Sequence, residues 1–481
     1  MKRNIYLKTI PPAEAIARVK ASIDREALIR EETIPSHEAS GRVLAHAVHA
    51  RYSSPTFHSA AMDGYAVNAR STFAAREGHP LTLKAGETCF AVNTGHPMPE
   101  GCDAVIMIEQ VVLDGGSVTI EAPAFPWQHV RRIGEDIVAT ELLFPRNHQL
   151  RPWDVGALLS GGIWDVPVWE RVTVRIIPTG DEVLDFTTHP DPGKGQVVES
   201  NSQMLAALAR ELGCVVERAA PVPDNPEALH QALKDSLDAG RHLTIFCAGS
   251  SAGSKDFTRA TLEKEGEILT HGIAAMPGKP SLLANCRGRL VAGAPGYPVS
   301  ALVCFKELLE PLISWLSHRE PPAKTVVPVE LTRTVPSRPG VEEHVRVSIG
   351  RVGDKLVATP LGRGAGNITT VTRAQGDVRI PEQAEGLNEH AVVPAELSVS
   401  EAELDRILVC VGSHDNTLDL LADELMGLPE PFRFASRPGV VVRISGLGEL
   451  PMAAITMSAS NWKRLPGIST GRRRPEASGS P

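Results

Sequence analysis

The sequence predicts a multidomain protein of the α/β plus β class, with a central α/β ligand-binding domain, an inserted small β domain and a C-terminal β-barrel. Three patterns support this fold class: strict strand–helix alternation after Arg171, short β-like pieces from Leu81 to Ile120, and further alternating strands from Lys324 to Ser398. Strands alternating with helices are typical of a parallel sheet, whereas short strands separated by Gly- and Pro-rich turns are typical of antiparallel β domains. The length of 481 residues suits about three or four domains.

The domain boundaries follow from where these patterns change. We expect a shared linker or dimer domain at 1–55 and 131–170, an inserted β domain at 56–130, the α/β domain at 171–318, a β-barrel domain at 319–398 and a last segment at 399–481. In the first of these, apolar residues at helical spacing predict one amphipathic helix over Pro12 to Arg30. A second helical stretch, Trp153 to Leu159, stops at Gly161 and Gly162.

Composition and charge exclude several classes of protein. A net charge of −8 argues against bulk attraction to nucleic acid or a membrane surface. The seven cysteines lie far apart without a C-x-x-C pair, which favours reduced thiols and a cytoplasmic location. No segment approaches the roughly 18 consecutive apolar residues of a membrane span, and the N-terminus lacks the apolar core of a signal peptide.

The α/β region predicts a ligand site at one edge of its sheet. Its predicted elements are strand Val172–Ile177, helix Ser202–Leu212, strand Val215–Arg218, a helix from Asp224 to Gly240, buried strand Leu243–Phe246, strand Leu290–Ala292 and a long helix through Trp315. Three of the strands end in loops of small residues, at 178–180, 248–254 and 293–298. In an open parallel sheet such loops gather at the carboxyl edge, where ligands bind.

The middle loop has the composition of a phosphate site. Seven small residues from Ala248 to Ser254 follow Cys247, and Asp256 then opens a helical pattern. Backbone N–H groups in such a loop can approach an oxyanion closely, although an ordinary βα turn has the same appearance. The glycine spacing matches neither a Walker P-loop nor a dinucleotide-binding G-x-G-x-x-G motif, so an ATPase and a dehydrogenase are both disfavoured.

Five carboxylates in loops or at element ends are candidate ligands of a hard cation such as Mg²⁺: Asp63, Asp136, Asp181, Glu182 and Asp256. Each alone is more often a helix cap or a solvated turn, but Mg²⁺ uses carboxylate oxygens together with substrate phosphates. Cationic side chains that could hold phosphate or oxyanion groups beside them are Arg132, Lys255 and Lys279.

Other catalytic classes have little support. The histidines show no H-x-x-x-H spacing, and neither Ser250 nor Ser300 lies in a G-x-S-x-G motif. Cys247, at a strand end without an evident histidine partner, is better interpreted as a packed thiol than as a nucleophile.

Seven motifs follow in order along roughly residues 5 to 398: Ser59–Val67, Arg132–Asp136, Pro178–Glu182, Glu199–Asn201, Gly249–Asp256, Met276–Pro280 and Gly293–Ser300. Together they resemble the MoeA family of molybdopterin molybdenumtransferases, which is related to the E domain of gephyrin. The resemblance implies an elongated homodimer whose α/β domain is MogA-like. It also implies insertion of molybdenum from molybdate into adenylylated molybdopterin, with Mg²⁺-dependent release of AMP, in molybdenum cofactor biosynthesis.

The resemblance also implies roles for individual residues. Asp181, Glu182 and Asp256 would lie around the metal and the pterin phosphate, Lys279 would hold anionic substrate, and Asp136 and Asp63 would complete the site, Asp63 by reaching a partner subunit's cleft. The residues that would contact the pterin are Thr179, Gly180, Gly249, Ser250, Ser251, Gly253, Ser254, Gly278, Pro295, Gly296 and Ser300.

The last segment resembles the start of a further domain. Ile407 to Met426 reads as a strand and a helix, similar to the first elements of the periplasmic-binding-protein-like domain that is fused to some MoeA proteins. Because the alternation fades after Phe434, we expect an incomplete domain, truncated or changed in reading frame near Ser436, followed by a disordered tail.

Two other functions remain open at this stage. A non-catalytic, regulatory molybdopterin-binding protein would use the same cleft, and a molybdopterin adenylyltransferase would use the same α/β domain. The carboxylates favour catalysis over the first, and the Ala61–Ala66 run together with the β-barrel disfavours the second. A molybdopterin adenylyltransferase is instead a candidate partner, and molybdate and tungstate remain alternatives as the oxyanion.

Overall fold

The protein, seen in a computed structural model, divides into two compact units. The structure describes residues 9–247, 257–411, 416–437 and 443–445. One unit, which we call the linker unit, comprises residues 25–172 and 314–320. The other, the sheet–barrel unit, comprises the chain up to residue 24, residues 173–313 and the chain from residue 321 onward.

The prediction of one helix from Pro12 to Arg30 is wrong. The structure has helix α1, Pro12–Ser22, and a short helix α2, Arg25–Leu28. Ile23 between them is extended, with φ −108° and ψ 123°, and is buried. A β-branched residue is stiff in a helix and fits an extended backbone well. Burial of Ile23 in the extended conformation therefore interrupts the helix.

The linker unit is built from short antiparallel strands and one further helix. Its elements are β1 Glu31–Pro35, β2 Val48–His49, β3 Ser59–Ala60, β4 Gly64–Val67, β5 Leu81–Lys84, β6 Cys89–Val92, β7 Ala104–Met107, β8 Val111–Asp114, β9 Ser117–Ile120, β10 Val130–Arg131, β11 Leu142–Phe144, helix α3 Pro152–Ser160 and β12 Asp165–Trp169. Strands β6, β4 and β7 form one three-stranded sheet and β5, β9 and β8 another, which confirms the small β region in the sequence. Strand β1 pairs with β12, so the segments before and after this β region meet.

Asp154 holds the start of α3 in place. Its buried carboxylate accepts hydrogen bonds from the Arg151 backbone N–H at 2.9 Å and from the Arg151 guanidinium at 3.1 Å, and it bonds the His148 ring at 2.7 Å. Burial alone would raise the pKa of the Asp154 carboxyl, but these hydrogen bonds outweigh it and lower the pKa to about 2.

This pKa predicts an acid-dependent loss of stability in α3. Because the pKa lies below the ordinary value of 3.8, the carboxylate stabilises the fold above about pH 4, by about 2 kcal/mol, and loses this contribution as the pH falls toward 2. Asp154→Asn should therefore reduce hydrogen-exchange protection of the α3 amides at pH 6, and the difference from the parent protein should shrink below pH 4. A difference that stays constant down to pH 2 would contradict this assignment.

The first part of the sheet–barrel unit is an α/β fold. After α1 its elements are β13 Thr173–Pro178, β14 Val183–Leu184, β15 Val197–Val198, α4 Asn201–Glu211, β16 Val215–Arg218, α5 Pro226–Asp238, β17 Leu243–Cys247, α6 Phe257–Glu265, β18 Gly266–His271, β19 Ala275–Met276, β20 Leu282–Cys286, β21 Arg289–Ala294, α7 Pro298–Cys304 and α8 Glu310–Leu316. A π-helical turn, Phe305–Leu309, joins α7 to α8, so the predicted long helix is present but not regular.

Six of these strands form one sheet in the order β16-β13-β17-β21-β20-β18. The first four are parallel, as the alternation predicts. Strand β20 pairs antiparallel with β21, and β18 pairs antiparallel with β20; the sequence analysis missed both strands. Helix α5 starts two residues after the predicted Asp224, because Asn225 is its cap: the Asn225 side chain accepts hydrogen bonds from the N–H groups of Glu227 and Ala228, and Pro226 occupies the first turn.

The second part of this unit is the predicted β-barrel. Its elements are β22 Val326–Leu331, β23 Val335–Pro336, β24 Glu342–Val352, β25 Lys355–Pro360, α9 Ile368–Thr372, β26 Gly376–Ile380, β27 Gly386–Leu387 and β28 Val392–Leu397. The strands follow the order β24-β25-β22-β28-β26, and β26 pairs back onto β24 to close the barrel. Strand β19 adds to β24 in parallel.

The segment after the barrel contains the predicted strand and helix. Its elements are α10 Glu401–Leu404, β29 Ile407–Val411, α11 Asn416–Met426, β30 Arg433–Arg437 and β31 Arg443–Ser445. Leu404 and Ile407 are fully buried in the core of the barrel, so this segment begins packed against it. The periplasmic-binding-protein-like assignment stays a prediction. Among the described helices none has the length and apolar character needed to cross a membrane.

Candidate functional site at the carboxyl edge of the sheet

Three parallel strands end side by side at one edge of the sheet. Strand β17 lies between β13 and β21, and the strand ends Pro178 and Ala294 both pair with Cys247. The loops after β13 and β21 therefore flank the end of β17, which confirms the prediction for two of the three strand-end loops. The loop after β17 holds Gly249, Ser250, Ser251, Gly253, Ser254, Lys255 and Asp256, all of which lie outside the described residues.

Thr179 and Gly180 fix the course of the first loop. Thr179 is buried, and both its N–H, at 2.9 Å, and its hydroxyl, at 3.2 Å, donate to the carbonyl oxygen of Cys247. Gly180 has φ +139°, where a side chain is strained, and a Cβ there would lie 3.0 Å from both carboxylate oxygens of Glu182. The glycine therefore lets the Glu182 carboxylate fold back over the loop.

Asp181 and Glu182 are exposed side by side after this glycine. Asp181 Oδ1 accepts the Asp224 backbone N–H at 3.0 Å, which leaves Oδ2 available. The Glu182 carboxylate accepts no hydrogen bond from any residue in the described ranges. Two adjacent carboxylates with unused oxygen atoms can bind a hard cation.

A buried ion-pair network behind this edge went unrecognised in the sequence analysis. Glu199 is 6% exposed and accepts hydrogen bonds from the Ser202 N–H at 2.7 Å and hydroxyl at 2.5 Å. Arg218, at the end of β16, lies 3.4 Å from Glu199 and 3.2 Å from Asp185. The backbone N–H of Thr187, together with Arg218, lowers the pKa of the Asp185 carboxyl. The network ties β16 to the loop after β14. In the sequence, the carboxylate of Glu199 directly after the strand Val197–Val198 could have indicated it.

Asn201, at the start of α4, is bonded to the last of the three loops. Its side-chain amide donates to the carbonyl oxygen of Gly296 at 2.7 Å. Pro295 before this glycine is buried, Gly296 is exposed, and the Tyr297 side chain is 66% exposed at the start of α7. The motif Glu199–Asn201 thus positions the loop after β21 through Asn201, a side chain to which the sequence analysis gave no role.

Two predicted pterin contacts, Gly278 and Ser300, lie close together at α7. Gly278 has φ +119°, and a Cβ there would lie 3.2 Å from Val303 and 3.6 Å from the carbonyl oxygen of Ser300, which is itself buried. Lys279 follows, half-buried, and its ammonium group makes no ion pair with any residue the structure describes. The close approach of Gly278 to α7 sets the position of Lys279.

Cys247 is a packed thiol, as predicted. It is 3% exposed, and burial, with the nearby Glu199 adding to it, raises its pKa well above the ordinary value. A thiol held in its neutral form is a poor nucleophile.

Asp63 lies in the linker unit, in the turn between β3 and β4. Its Oδ1 accepts the Thr94 backbone N–H at 2.6 Å and the Thr94 hydroxyl at 2.9 Å. These two bonds lower the pKa of the exposed Asp63 carboxyl, so it is held ionised and in one orientation.

Asp136 is also exposed in the linker unit, but the local pairing does not bring it to Asp63. Strands β3 and β10 are antiparallel, and the pairing continues to a bridge between Ser54 and Ile137. The chain therefore leaves this ladder toward Asp63 at one end and toward Asp136 at the other. Arg132, a candidate phosphate ligand, is exposed in the same turn as Asp136.

Three family models match the chain in succession. Residues 10–162 match the MoeA N-terminal region (domain I and II), residues 175–315 match a probable molybdopterin binding domain, and residues 328–397 match the MoeA C-terminal region (domain IV).

Individual relatives match over most of their length. A molybdopterin molybdenumtransferase of Haemophilus influenzae is 34% identical over 60% of this chain and 74% of its own. Molybdopterin molybdenumtransferase 2 of Mycobacterium tuberculosis is 31% identical over 73% of this chain and 91% of its own. Two crystal structures of a molybdopterin biosynthesis MoeA protein from Pyrococcus horikoshii superpose with TM-scores of 0.68 and 0.63, at 29% and 26% identity, over 81% of this chain and 99% and 100% of theirs.

Proposed function

The chain belongs to the MoeA family of molybdopterin molybdenumtransferases, enzymes of molybdenum cofactor biosynthesis, and we propose that it inserts molybdenum from molybdate into adenylylated molybdopterin with Mg²⁺-dependent release of AMP. The observation that carries this proposal is the exposed pair Asp181 and Glu182 at the edge where β13, β17 and β21 end. This edge is where open α/β sheets bind their ligands.

The donor atoms fit Mg²⁺ because they are carboxylate oxygens with unused coordination capacity. Asp181 and Glu182 would hold the ion, and we propose Asp256 as the third ligand. When bound, the ion would neutralise charge on the phosphate oxygens as the phosphoanhydride bond breaks. One oxygen of Asp181 accepts the backbone N–H of Asp224, and its other oxygen would bind the ion.

The remaining residues of this edge would hold the substrates. Lys279 would pair with an anionic group, since its ammonium makes no ion pair with a described residue. The residues we propose as pterin and phosphate contacts are Thr179, Gly180, Gly249, Ser250, Ser251, Gly253, Ser254, Gly278, Pro295, Gly296 and Ser300. The buried hydrogen bond of Thr179 to Cys247 and the exposed one of Asn201 to Gly296 would keep two of their loops in place without substrate.

Asp63 and Asp136 would complete the site in a homodimer. We propose that Asp63, which Thr94 holds ionised, reaches the cleft of a partner subunit. The protein would act in the cytoplasm, on small molecules and without nucleic acid, and would receive its substrate from a molybdopterin adenylyltransferase. We also propose five segments: a linker or dimer domain at 1–55 and 131–170, an inserted β domain at 56–130, the α/β domain at 171–318, the β-barrel at 319–398 and a last segment at 399–481.

Mg²⁺-dependent AMP release tests the proposal. The full chain is incubated with adenylylated molybdopterin and molybdate, with Mg²⁺ or with excess chelator, and AMP is quantified. We expect multiple turnovers only with Mg²⁺. Tight binding of the substrate without AMP release under any condition would instead identify a regulatory molybdopterin-binding protein.

A further inference from the structure

A second group of metal-ligand side chains lies away from the carboxyl edge, where the π-helical turn meets the barrel. Glu307 comes from the π-helical turn, and Glu342 and His344 come from β24, where their spacing of two residues puts both on one face. One donor atom from each of the three lies within 4.8 Å of the others. The Glu307 and His344 side chains also line a small cavity between α7, the π-helical turn and the barrel.

His344 is the feature that an ion-pair cluster alone does not explain. Its side chain is only 6% exposed, and its Nε2 atom is buried without a hydrogen-bond partner. Buried polar atoms without a partner destabilise a fold, so each one indicates a missing group or a function. Glu342 Oε1 lies 3.5 Å from this nitrogen, which is beyond good hydrogen-bond geometry.

The same distance suits two ligands of one metal ion. Bonds of about 2.0 to 2.2 Å from a tetrahedral zinc ion to nitrogen and oxygen separate its ligand atoms by roughly 3.3 to 3.5 Å. A neutral imidazole nitrogen is a common ligand of transition metals. An imidazole among the donors favours zinc over Mg²⁺, which prefers oxygen ligands alone.

Neighbouring charges are compatible with a bound cation. Arg379 pairs with Glu307 through two bonds, of 2.7 and 3.0 Å, and contacts Glu342 at 3.1 Å. Each carboxylate oxygen has a further lone pair, so the guanidinium can orient the ligands from outside, as second partners of metal-binding carboxylates do. Two neighbouring ion pairs, Lys324 with Glu396 and Lys306 with Asp377, are each neutral. Arg379 balances one of the two carboxylate charges of Glu307 and Glu342, and the buried Arg346 guanidinium also lines the cavity.

We propose that Glu307, Glu342 and His344 bind a divalent transition-metal ion, with zinc as the best fit, which fastens the π-helical turn to the barrel. The fourth coordination position would face the cavity and take water. The site is separate from the proposed Mg²⁺ site, and it does not depend on the proposed function.

Cobalt(II), which reports its coordination through visible absorption, tests this site in the full chain. The protein is stripped with a chelator and titrated with Co²⁺ in the presence of excess Mg²⁺, which occupies exposed carboxylates. We expect one equivalent of Co²⁺ to give an absorption band that Zn²⁺ abolishes, and Zn²⁺ to raise the Tm. His344→Gln and Glu307→Gln should each weaken Co²⁺ binding more than about tenfold.

Glu396→Gln is the matched control. It removes another carboxylate partner of Arg379, at 3.2 Å, without changing the three proposed ligands, so binding should be unaffected. The absence of a band in the parent protein, or a band of equal affinity in His344→Gln, would overturn the proposal. Circular dichroism of each variant verifies that a lost band is not lost folding.

Discussion

Gly64→Ala is expected to unfold the three-stranded sheet that presents Asp63. Gly64 lies in β4, the central strand between β6 and β7. A Cβ at this position would lie 2.0 Å from the carbonyl oxygen of Ile106 and 2.9 Å from its carbonyl carbon. Both are backbone atoms of the paired strand β7 and cannot move without breaking the ladder. We expect the free energy of unfolding to fall by more than about 4 kcal/mol, as it does for the most damaging single substitutions.

Hydrogen exchange of the β4, β6 and β7 amides, read by mass spectrometry, measures this effect locally. Gly156→Ala is the matched control, because Gly156 lies within α3 and a Cβ there meets nothing within 4 Å. In a helix interior the same change is expected to stabilise by up to about 1 kcal/mol. Retained protection of β4 in Gly64→Ala would show that the strand pairing around Asp63 is wrong.

Glu182→Gln is expected to lower the rate of AMP release at least about a hundredfold, as removal of one charge-stabilising group in an active site does. The carboxylate lies over Gly180 and accepts no bond from a described residue, so its charge is available to a ligand. Because the side chain is exposed, the amide should leave Tm unchanged. The loss of activity should therefore appear as a lower rate of AMP release and a higher Mg²⁺ concentration required for it.

Steady-state AMP release across Mg²⁺ concentrations measures this prediction. Glu211→Gln, an exposed carboxylate at the end of α4, provides the control for a change of charge on the same domain and should retain full activity. Equal activity of Glu182→Gln and the parent protein would remove Glu182 from the site without removing the proposed reaction.

Local patterns predict much of the fold and part of the site. The apolar runs that became β13, β17 and β21, and the small residues that follow them, were sufficient to place one ligand edge. The segment Asp224–Glu227 predicted the start of α5 to within two residues. These features depend on residues close in sequence, so the chemistry of one segment determines them.

Features that depend on distant residues were not predictable. Arg218 and Glu199 are 19 residues apart, and Glu307 and Arg379 are 72 apart, so neither pair has a local signal. The break at Ile23 reflects burial of that side chain, which overrides the helical spacing around it. The antiparallel strand β20 resembles a parallel one in composition because it is largely buried.

Molybdenum insertion itself is the most direct test of the central claim. The full chain is given adenylylated molybdopterin, Mg²⁺ and molybdate, and the product is added to an apo-molybdoenzyme whose activity reports the finished cofactor. We predict activity that requires all three components, appears together with AMP and is lost in Glu182→Gln. AMP release without any activation of the apo-enzyme, at saturating molybdate, would contradict the account.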